Sequence, residues 1–156
     1  MAGEDATAAL PELKEVLSVI RKENGNSITD DIGYGSTIFA VKPGDGSARE
    51  QAASCQKVLG GWANIANEYA TKRYRSNLIN WGMLPFIIKE GELPFKNLDY
   101  LYIPGIRKAV EEKTTVIKAY KVETDGLREF ELTLGDLTDE ERQIILKGCL
   151  INYNRI

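Results

Sequence analysis

One strand–loop–helix junction constrains the fold more than any other part of the sequence. The run TIFAV (37–41) is apolar and β-branched, which is typical of a buried strand. The loop KPGDG follows, and a helix is expected from about Ser47 to Leu59, closed by Gly60 and Gly61. A strand joined so closely to a helix is the basic connection of α/β domains.

The first half of the chain continues this alternation. WANIANEY (62–69) and MLPFII (83–88) indicate strands, although a helix is a competing interpretation of the first, and RSNLINWG (75–82) predicts a short helix between them. Near the start, Gly25 is placed to end a helix. The apolar face of that helix has the spacing i, i+3, i+4, i+7 and consists of Leu13, Val16, Leu17 and Ile20.

The C-terminal third predicts an antiparallel hairpin and a closing helix. TTVIKAYKV (114–122) and REFELTL (128–134) flank Asp125-Gly126, a strong hairpin signal. The closing helix opens with Thr138-x-x-Glu141, a capping box. Early alternation followed by a late hairpin predicts one mixed α/β domain.

The overall composition excludes several function classes. With 20 basic and 23 acidic residues, the formal net charge of the 156-residue chain is −3, so it lacks the basic footprint of a nucleic-acid or anionic-membrane binder. No apolar run approaches the roughly 18 residues that span a bilayer. The start MAGEDATAAL lacks the basic and apolar regions of a signal peptide, and a cytoplasmic location is expected.

The chain contains no histidine, which restricts its chemistry. Ser-His-Asp and Cys-His nucleophile schemes are excluded. Cys55 and Cys149 are far apart in the sequence and cannot hold a zinc or iron–sulfur site by themselves. We expect both cysteines to be small hydrophobic residues in or near the core. Any reaction must use Ser, Asp, Glu, Lys, Arg or Tyr, or be completed by another polypeptide.

The glycine loop before the helix has two competing interpretations. The first interpretation is an anion site, which the free N–H groups and the positive end of the helix favour. Gly44 and Gly46 permit positive φ and the close approach of a ligand. Arg49 can bind a carboxylate with two hydrogen bonds. The sequence from Ser47 to Glu50 is also an S-x-x-E capping box, in which the serine only caps the helix. The loop lacks the spacing of a nucleotide-binding fingerprint.

Other polar and aromatic clusters favour structural roles. Lys72, Arg73 and Arg75 lie close to Tyr69 and Tyr74 in the sequence and predict a solvated face or a docking surface. Trp62 and Trp81 are expected to be core or interface anchors.

Four segments together resemble one family. GSAREQAA (46–53) resembles the Gly-Ser-Ser-Arg-Glu-His-Ala-Ala motif in the swivel domain of the aconitase and isopropylmalate isomerase family. SITDDI (27–32) resembles its Asn/Ser-x-x-Thr-Asp-x-Ile element, and RSNLINWGMLPF (75–86) its Asn-Leu-Ile-Asn-x-Gly-x-Leu-Pro signature. LTDEERQIILKGCLINY (137–153) is similar to the end of the hydratase branch.

The resemblance implies a fold and a domain organisation. The fold is a swivelling β/β/α three-layer α/β domain with a mixed sheet and flanking helices. Residues 1–156 then form a single swivel domain, with an N-terminal helix and linker over 1–26 and the family-like core over 27–153.

The resemblance also implies an activity and a set of site residues. The family dehydrates or hydrates small hydroxy-carboxylic acids at a four-iron four-sulfur cluster. Ser47 matches the serine that acts as the base, Arg49 the arginine that binds a substrate carboxylate, and Asp30 an active-site aspartate. The neighbouring motif positions assigned to substrate binding are Thr29, Gly46 and Ala48. From the residues alone, the favoured interpretation of Asp30 and Asp31 is a loop or turn that contains an Asx hydrogen bond.

The same resemblance implies a partner and a cofactor. Because the cluster cysteines are absent, the 4Fe-4S cluster is expected in a large partner subunit or domain, with no metal bound by this chain. The chain is then a separate small subunit or the C-terminal domain of a longer enzyme, inactive on its own. A small di- or tricarboxylate is the implied substrate, and neither a nucleic acid nor a membrane is an expected partner.

The departures from the family pattern keep a second hypothesis open. Ala48 replaces a substrate-binding serine, Gln51 replaces a histidine, and Thr71–Tyr74 stands where Ala-Arg-Ile-His is frequent. The segment before the glycine loop is short and contains Lys42 but no arginine. A non-catalytic module that binds an anion or a protein partner through the same fold is the alternative.

Overall fold

The computed structural model describes residues 10–24 and 32–155 of the chain. Within these ranges there are six helices and six strands. The helices are α1 (Glu12–Asn24), α2 (Arg49–Val58), α3 (Lys72–Asn80), α4 (Ile106–Glu111), α5 (Asp139–Leu146) and α6 (Leu150–Tyr153). The strands are β1 (Ser36–Ala40), β2 (Gly61–Ala66), β3 (Leu84–Ile87), β4 (Leu101–Tyr102), β5 (Val116–Glu123) and β6 (Gly126–Thr133).

The strands form one mixed sheet in the order β1-β2-β3-β6-β5-β4. β1, β2 and β3 run parallel, as strands connected by helices do. β6 is antiparallel to β3, with Ile87 opposite Thr133, and β4 is antiparallel to β5. The expected mixed α/β class, the early alternation of strands and helices and the late hairpin are therefore confirmed.

Internal contacts divide the chain into two units. The first comprises the described residues of Met1–Tyr34, Gly91–Pro104 and Lys118–Glu131, and the second comprises Gly35–Glu90, Gly105–Ile117 and the described residues of Leu132–Ile156. The second unit contains β1 to β3 and helices α2 to α6. The glycine loop and the helix that follows it belong to this second unit.

In the first unit, α1 has the predicted apolar face. Leu13, Leu17 and Ile20 are buried, while Val16 is half-buried. The phenyl rings of Phe95 and Phe130 stack at a tilt with centroids 5.7 Å apart. The expected stop at Gly25 lies outside the described residues.

The core of the second unit is built around β2 and β3. Ile65, Ala66 and Phe86 are almost fully buried, as expected for central parallel strands covered on both faces. Leu78 of α3 and Ala53 of α2 are also fully buried, so both helices pack their inner faces into this core. The strand interpretation of WANIANEY is confirmed, and so is the helix expected over RSNLINWG, although it begins earlier, at Lys72.

The prediction that TIFAV is a buried strand is wrong about burial. β1 forms as expected, but Ile38 is 43% exposed and Val41 is 62% exposed. The physical reason is position in the sheet: among the strands that the structure describes, β1 is at the edge and has β2 as its one neighbour. A β-branched run therefore predicted the strand and could not predict its place in the sheet.

The closing helix confirms its predicted capping box. The Glu141 N–H donates to Thr138 Oγ1 at 3.2 Å, and the Thr138 N–H donates to Glu141 Oε2 at 2.8 Å. Asp139, Glu140 and Glu141 place negative charge on the first turn, which favours the positive helix end. In the described part of the chain, no helix is long and apolar enough to cross a membrane.

Candidate functional site: the glycine loop at the start of α2

The glycine loop lies at the carboxyl end of the parallel strands. It runs from Val41, directly after β1, to Ala48, directly before α2. In open α/β sheets, ligands bind outside the carboxyl ends of the strands, where loops and helix N-termini converge. The predicted strand–loop–helix junction is confirmed at a position suited to a ligand.

Residues that follow β2 hold the first part of this loop. The Ala70 N–H donates to the Pro43 carbonyl at 2.9 Å. The Thr71 hydroxyl donates to the Gly44 carbonyl at 3.1 Å and also accepts from the Tyr74 N–H at 3.2 Å, so that it caps α3. The loop is thus fixed by tertiary hydrogen bonds to a second loop at the same edge of the sheet.

Gly44 packs directly on a buried tyrosine. Its φ is +101°, and a Cβ added there would lie 2.5 Å from the Cβ of Tyr74, so only glycine fits this conformation and this space. Tyr74 is 3% exposed, and its hydroxyl accepts hydrogen bonds from Asn64 Nδ2 and Gln56 Nε2, both at 3.0 Å. A rigid, internally hydrogen-bonded side chain therefore supports the loop.

Gly46 differs from Gly44. Its φ is not in the left-handed region, and an added Cβ would meet nothing within 4 Å. Of the two glycines that permit positive φ, only Gly44 therefore adopts it. The open space beside Gly46 leaves room for the close approach of a ligand.

Ser47 does not cap the helix. α2 begins at Arg49 with Ala48 as the N-cap residue, and Ala48 has no side-chain capping bond. The capping box predicted from Ser47 to Glu50 is therefore wrong: Ser47 lies one residue too early, because the chain enters helical geometry only after Ala48. Ser47 is exposed, and its hydroxyl makes no hydrogen bond to the residues that the structure describes.

This placement predicts different stability effects for two hydroxyl residues. Thr138→Ala should lower the free energy of unfolding by about 1 kcal/mol, because it removes a formed cap. Ser47→Ala should change it by less than about 0.5 kcal/mol, since its side chain caps nothing in the described structure. Urea unfolding of both variants measures the difference, and equal losses would contradict the observed helix start.

Arg49 is the first residue of α2, and its guanidinium is not fully satisfied. Its Nε is buried without a hydrogen-bond partner, and it forms no ion pair within residues 10–24 and 32–155. A buried N–H that lacks an acceptor is costly, so the group favours an anion that supplies one. Lys42, the other nearby cation, is already paired with Glu68 at 2.8 Å.

Asp30 and Thr29 lie outside the described residues, so their proximity to the loop stays a prediction. Gly46, Ser47, Ala48 and Arg49 are brought together by the short loop itself. Sequence reasoning missed the support provided by Tyr74. The signal that could have indicated it is Asn64, a polar residue inside an apolar strand.

The three cationic residues near the start of α3 differ in their surroundings. Lys72 and Arg73 are exposed, which agrees with a solvated face. Arg75 instead donates to the Asp136 carbonyl at 2.6 Å and pairs with Glu141 at 3.7 Å. Arg75 therefore has a structural role that the sequence pattern did not indicate.

The tryptophans and cysteines only partly follow expectation. Trp81 packs against the buried cluster around Tyr74, but Trp62 is 45% exposed and is not a core residue. Cys149 is half-buried, whereas Cys55 is exposed on α2, so its predicted core position is wrong. The apolar face of α2 is instead centred on Ala53.

The donor set of this chain does not fit a resident iron–sulfur cluster. Such clusters are held mainly by cysteine thiolates, and the sequence contains two cysteines and no histidine. Within the residues that the structure describes, no three His, Cys, Asp or Glu side chains are grouped so as to hold a metal ion. A cluster would need ligands from outside this chain.

The fold is an α/β domain with a glycine loop before α2, and several known proteins are similar to it. Residues 23–91 match the model of the aconitase C-terminal domain. The aconitate hydratase A of Rickettsia bellii is 29% identical over 78% of this chain, and that of Rickettsia conorii is 30% identical over 74%. The chain spans only 14% of the length of each.

A solved structure agrees with these matches. The crystal structure of 3-isopropylmalate dehydratase from Methanocaldococcus jannaschii superposes with a TM-score of 0.52 at 28% identity, covering 79% of this chain and 65% of that one. Together these matches support a swivel domain of the aconitase family. The relatives found are a hydratase and a dehydratase.

Proposed function

We propose that this chain is the swivel domain or small subunit of an iron–sulfur hydro-lyase that acts on a small hydroxy-carboxylic acid. Two observations at the same helix N-terminus carry the proposal: the Ser47 hydroxyl is exposed, and the buried Nε of Arg49, two residues further on, has no hydrogen-bond partner. Residues 27–153 are the proposed core, and 1–26 the helix and linker that precede it.

Ser47 is the proposed base. In its alkoxide form, Ser47 takes the proton from the carbon next to a substrate carboxylate and becomes a neutral hydroxyl. A serine hydroxyl is a very weak acid in water. The alkoxide therefore forms only where nearby groups stabilise its negative charge. The free N–H groups and partial positive charge at the start of α2 provide this stabilisation, together with the cation of Arg49.

Arg49 is the proposed carboxylate clamp. Its planar guanidinium can donate two parallel hydrogen bonds to a carboxylate, which fixes the orientation of the substrate as well as its position. Ala48 has no hydroxyl and contributes only its backbone N–H. Asp30 and Thr29 are proposed to complete the site. The proposed substrate is a di- or tricarboxylate, because its negative charges complement the positive charge of Arg49 and of the helix N-terminus.

A partner or a further domain is proposed to hold the iron–sulfur cluster, since the donors of this chain do not fit one. The chain by itself is then inactive. A reading frame with three cluster cysteines, adjacent to this one or fused to it, would support the enzyme.

The clamp predicts an effect on substrate binding. Arg49→Lys in the assembled enzyme should raise KM by about 10- to 100-fold, because it removes a charged bidentate contact. The value of kcat should change only a few-fold. Arg73→Lys, at an exposed arginine of α3, is the matched control and should leave KM unchanged. Steady-state kinetics of both variants decide the point: an unchanged KM in Arg49→Lys would exclude Arg49 from the site.

A non-catalytic module that binds an anion or a partner on this fold is the second candidate. The missing hydroxyl at Ala48 favours it, because one substrate contact of the family pattern is lost. Both candidates use Arg49, and only the enzyme needs the hydroxyl of Ser47.

A further inference from the structure

A second concave site lies in the same unit at the opposite end of the parallel strands. It is a cavity of about 270 Å³ lined by Trp62, at the start of β2, and Leu84, at the start of β3. Lys57, near the end of α2, also lines it. Because α2 rises about 1.5 Å per residue, Lys57 lies about 12 Å along the helix axis from Arg49, the first residue of that helix. The cavity is therefore separate from the glycine loop.

The wall of this cavity is mostly apolar. Besides Trp62 and Leu84, its apolar lining consists of Ile106, Val110, Ile145 and Leu146. The backbone of Gly82 and Gly148 completes it. A wall of this kind favours an aliphatic or aromatic group over a sugar or a phosphate.

The charged side chains of the lining are both cationic. Lys57 and Arg107 contribute to the wall, and no carboxylate does. Arg107 is exposed and pairs with Glu111 at 3.7 Å. Lys57 has no ion pair within the described chain, and its Nζ lies 5.8 Å from the centre of the Trp62 ring.

The Lys57 ammonium is poorly compensated for its burial. Partial burial lowers the pKa of Lys57, and the smaller electrostatic effect of the nearby Cys149 raises it. A half-buried cation beside an apolar wall is best satisfied by an anion that carries an apolar body.

We propose that this cavity binds a small carboxylate with an aliphatic or aromatic chain. The carboxylate pairs with Lys57 over the Trp62 ring, and the chain lies against Leu84, Val110 and Leu146. Such a ligand is distinct from the polycarboxylate proposed for the glycine loop, because an apolar wall does not accommodate further carboxylates. The site is independent of the proposed function.

Titration of the full chain with hexanoate tests the proposal, with hexan-1-ol and hexylammonium as probes of the same length. Hexanoate should change tryptophan fluorescence and shift the amide NMR signals of Trp62, Leu84 and Gly148, but not those of Gly46 and Ser47. Hexan-1-ol should bind about tenfold more weakly, and hexylammonium not at all. Equal affinity for the alcohol would overturn the proposal and indicate a purely apolar groove. Shifts centred on Ser47 would overturn it in favour of the first site.

Two variants and a control locate the binding. Lys57→Met should weaken hexanoate binding about tenfold or more, whereas Lys108→Met, at an exposed lysine paired with Glu112 outside the cavity, should not. Leu84→Phe, which fills the cavity, should weaken hexanoate and hexan-1-ol alike. Thermal unfolding of each variant verifies that it is folded. Equal affinities in Lys57→Met and Lys108→Met would overturn the assignment of Lys57.

Discussion

Ser47→Ala in the assembled enzyme is expected to lower kcat by about 10²- to 10⁴-fold, the range that a positioned general base contributes. The expected change in KM is small, because Arg49 and the N–H groups of α2 still hold the carboxylate. The physical reason is that alanine retains the loop and the helix end but has no oxygen that can accept the substrate proton. Steady-state kinetics with a hydroxy-acid substrate, measured up to saturating concentrations, give both kcat and KM.

Ser54, a serine inside α2, is the matched control for Ser47, which lies just before that helix. Ser54 lies within α2, where its hydroxyl donates to the Gln51 carbonyl at 3.2 Å, and Ser54→Ala should leave kcat unchanged. Since Ser47 caps nothing in the described structure, a loss of activity in Ser47→Ala cannot be attributed to a frayed helix. A kcat equal to that of the parent would contradict the role of Ser47 as base and favour the non-catalytic module.

Gly82→Ala is expected to have the largest effect on stability, lowering the free energy of unfolding by about 3 kcal/mol or more. Gly82 follows α3 with a φ of +70°, and an added Cβ would overlap the carbonyl group of Gly148. Backbone strain and a clash with backbone atoms therefore add, and neither can be relieved by rotation of a side chain.

Gly60→Ala separates these two contributions. Gly60 has a similar φ of +87° after α2, but nothing lies within 4 Å of an added Cβ. Its expected cost is therefore the backbone strain alone, about 1–2 kcal/mol. Urea unfolding of both variants gives the comparison, and equal losses would show that Gly148 moves aside without cost.

Local sequence patterns were sufficient to predict most of the helices and strands. The spacing of Leu13, Leu17 and Ile20 predicted the buried face of α1, and Asp125-Gly126 predicted the hairpin between β5 and β6. These signals depend on neighbours within one or two turns of chain, which sequence reasoning can evaluate. The capping box at Thr138 was predicted for the same reason.

Predictions from local sequence patterns were wrong where contacts between distant residues determine the structure, as at the start of α2 and in the burial of β1. Ser47 and Thr138 have the same S/T-x-x-E pattern, yet only Thr138 caps a helix. The hydrogen bond from Ala70 to Pro43 and the packing of Gly44 on Tyr74 hold the preceding loop, and the helix then begins after Ala48. The edge position of β1 likewise depends on the order of strands that follow it along the chain.

By itself, the sequence determined the α/β class, the strand–glycine loop–helix junction, the family resemblance and the absence of a cluster-binding donor set, because all of these depend on residue types and short spacings. Only the tertiary structure decided that Ser47 is free of the helix cap, that Arg49 has a buried N–H without an acceptor, and that Lys57 borders an apolar cavity. Those properties depend on tertiary contacts between residues that are distant in the sequence, and the spacing of residues along the chain does not specify these contacts.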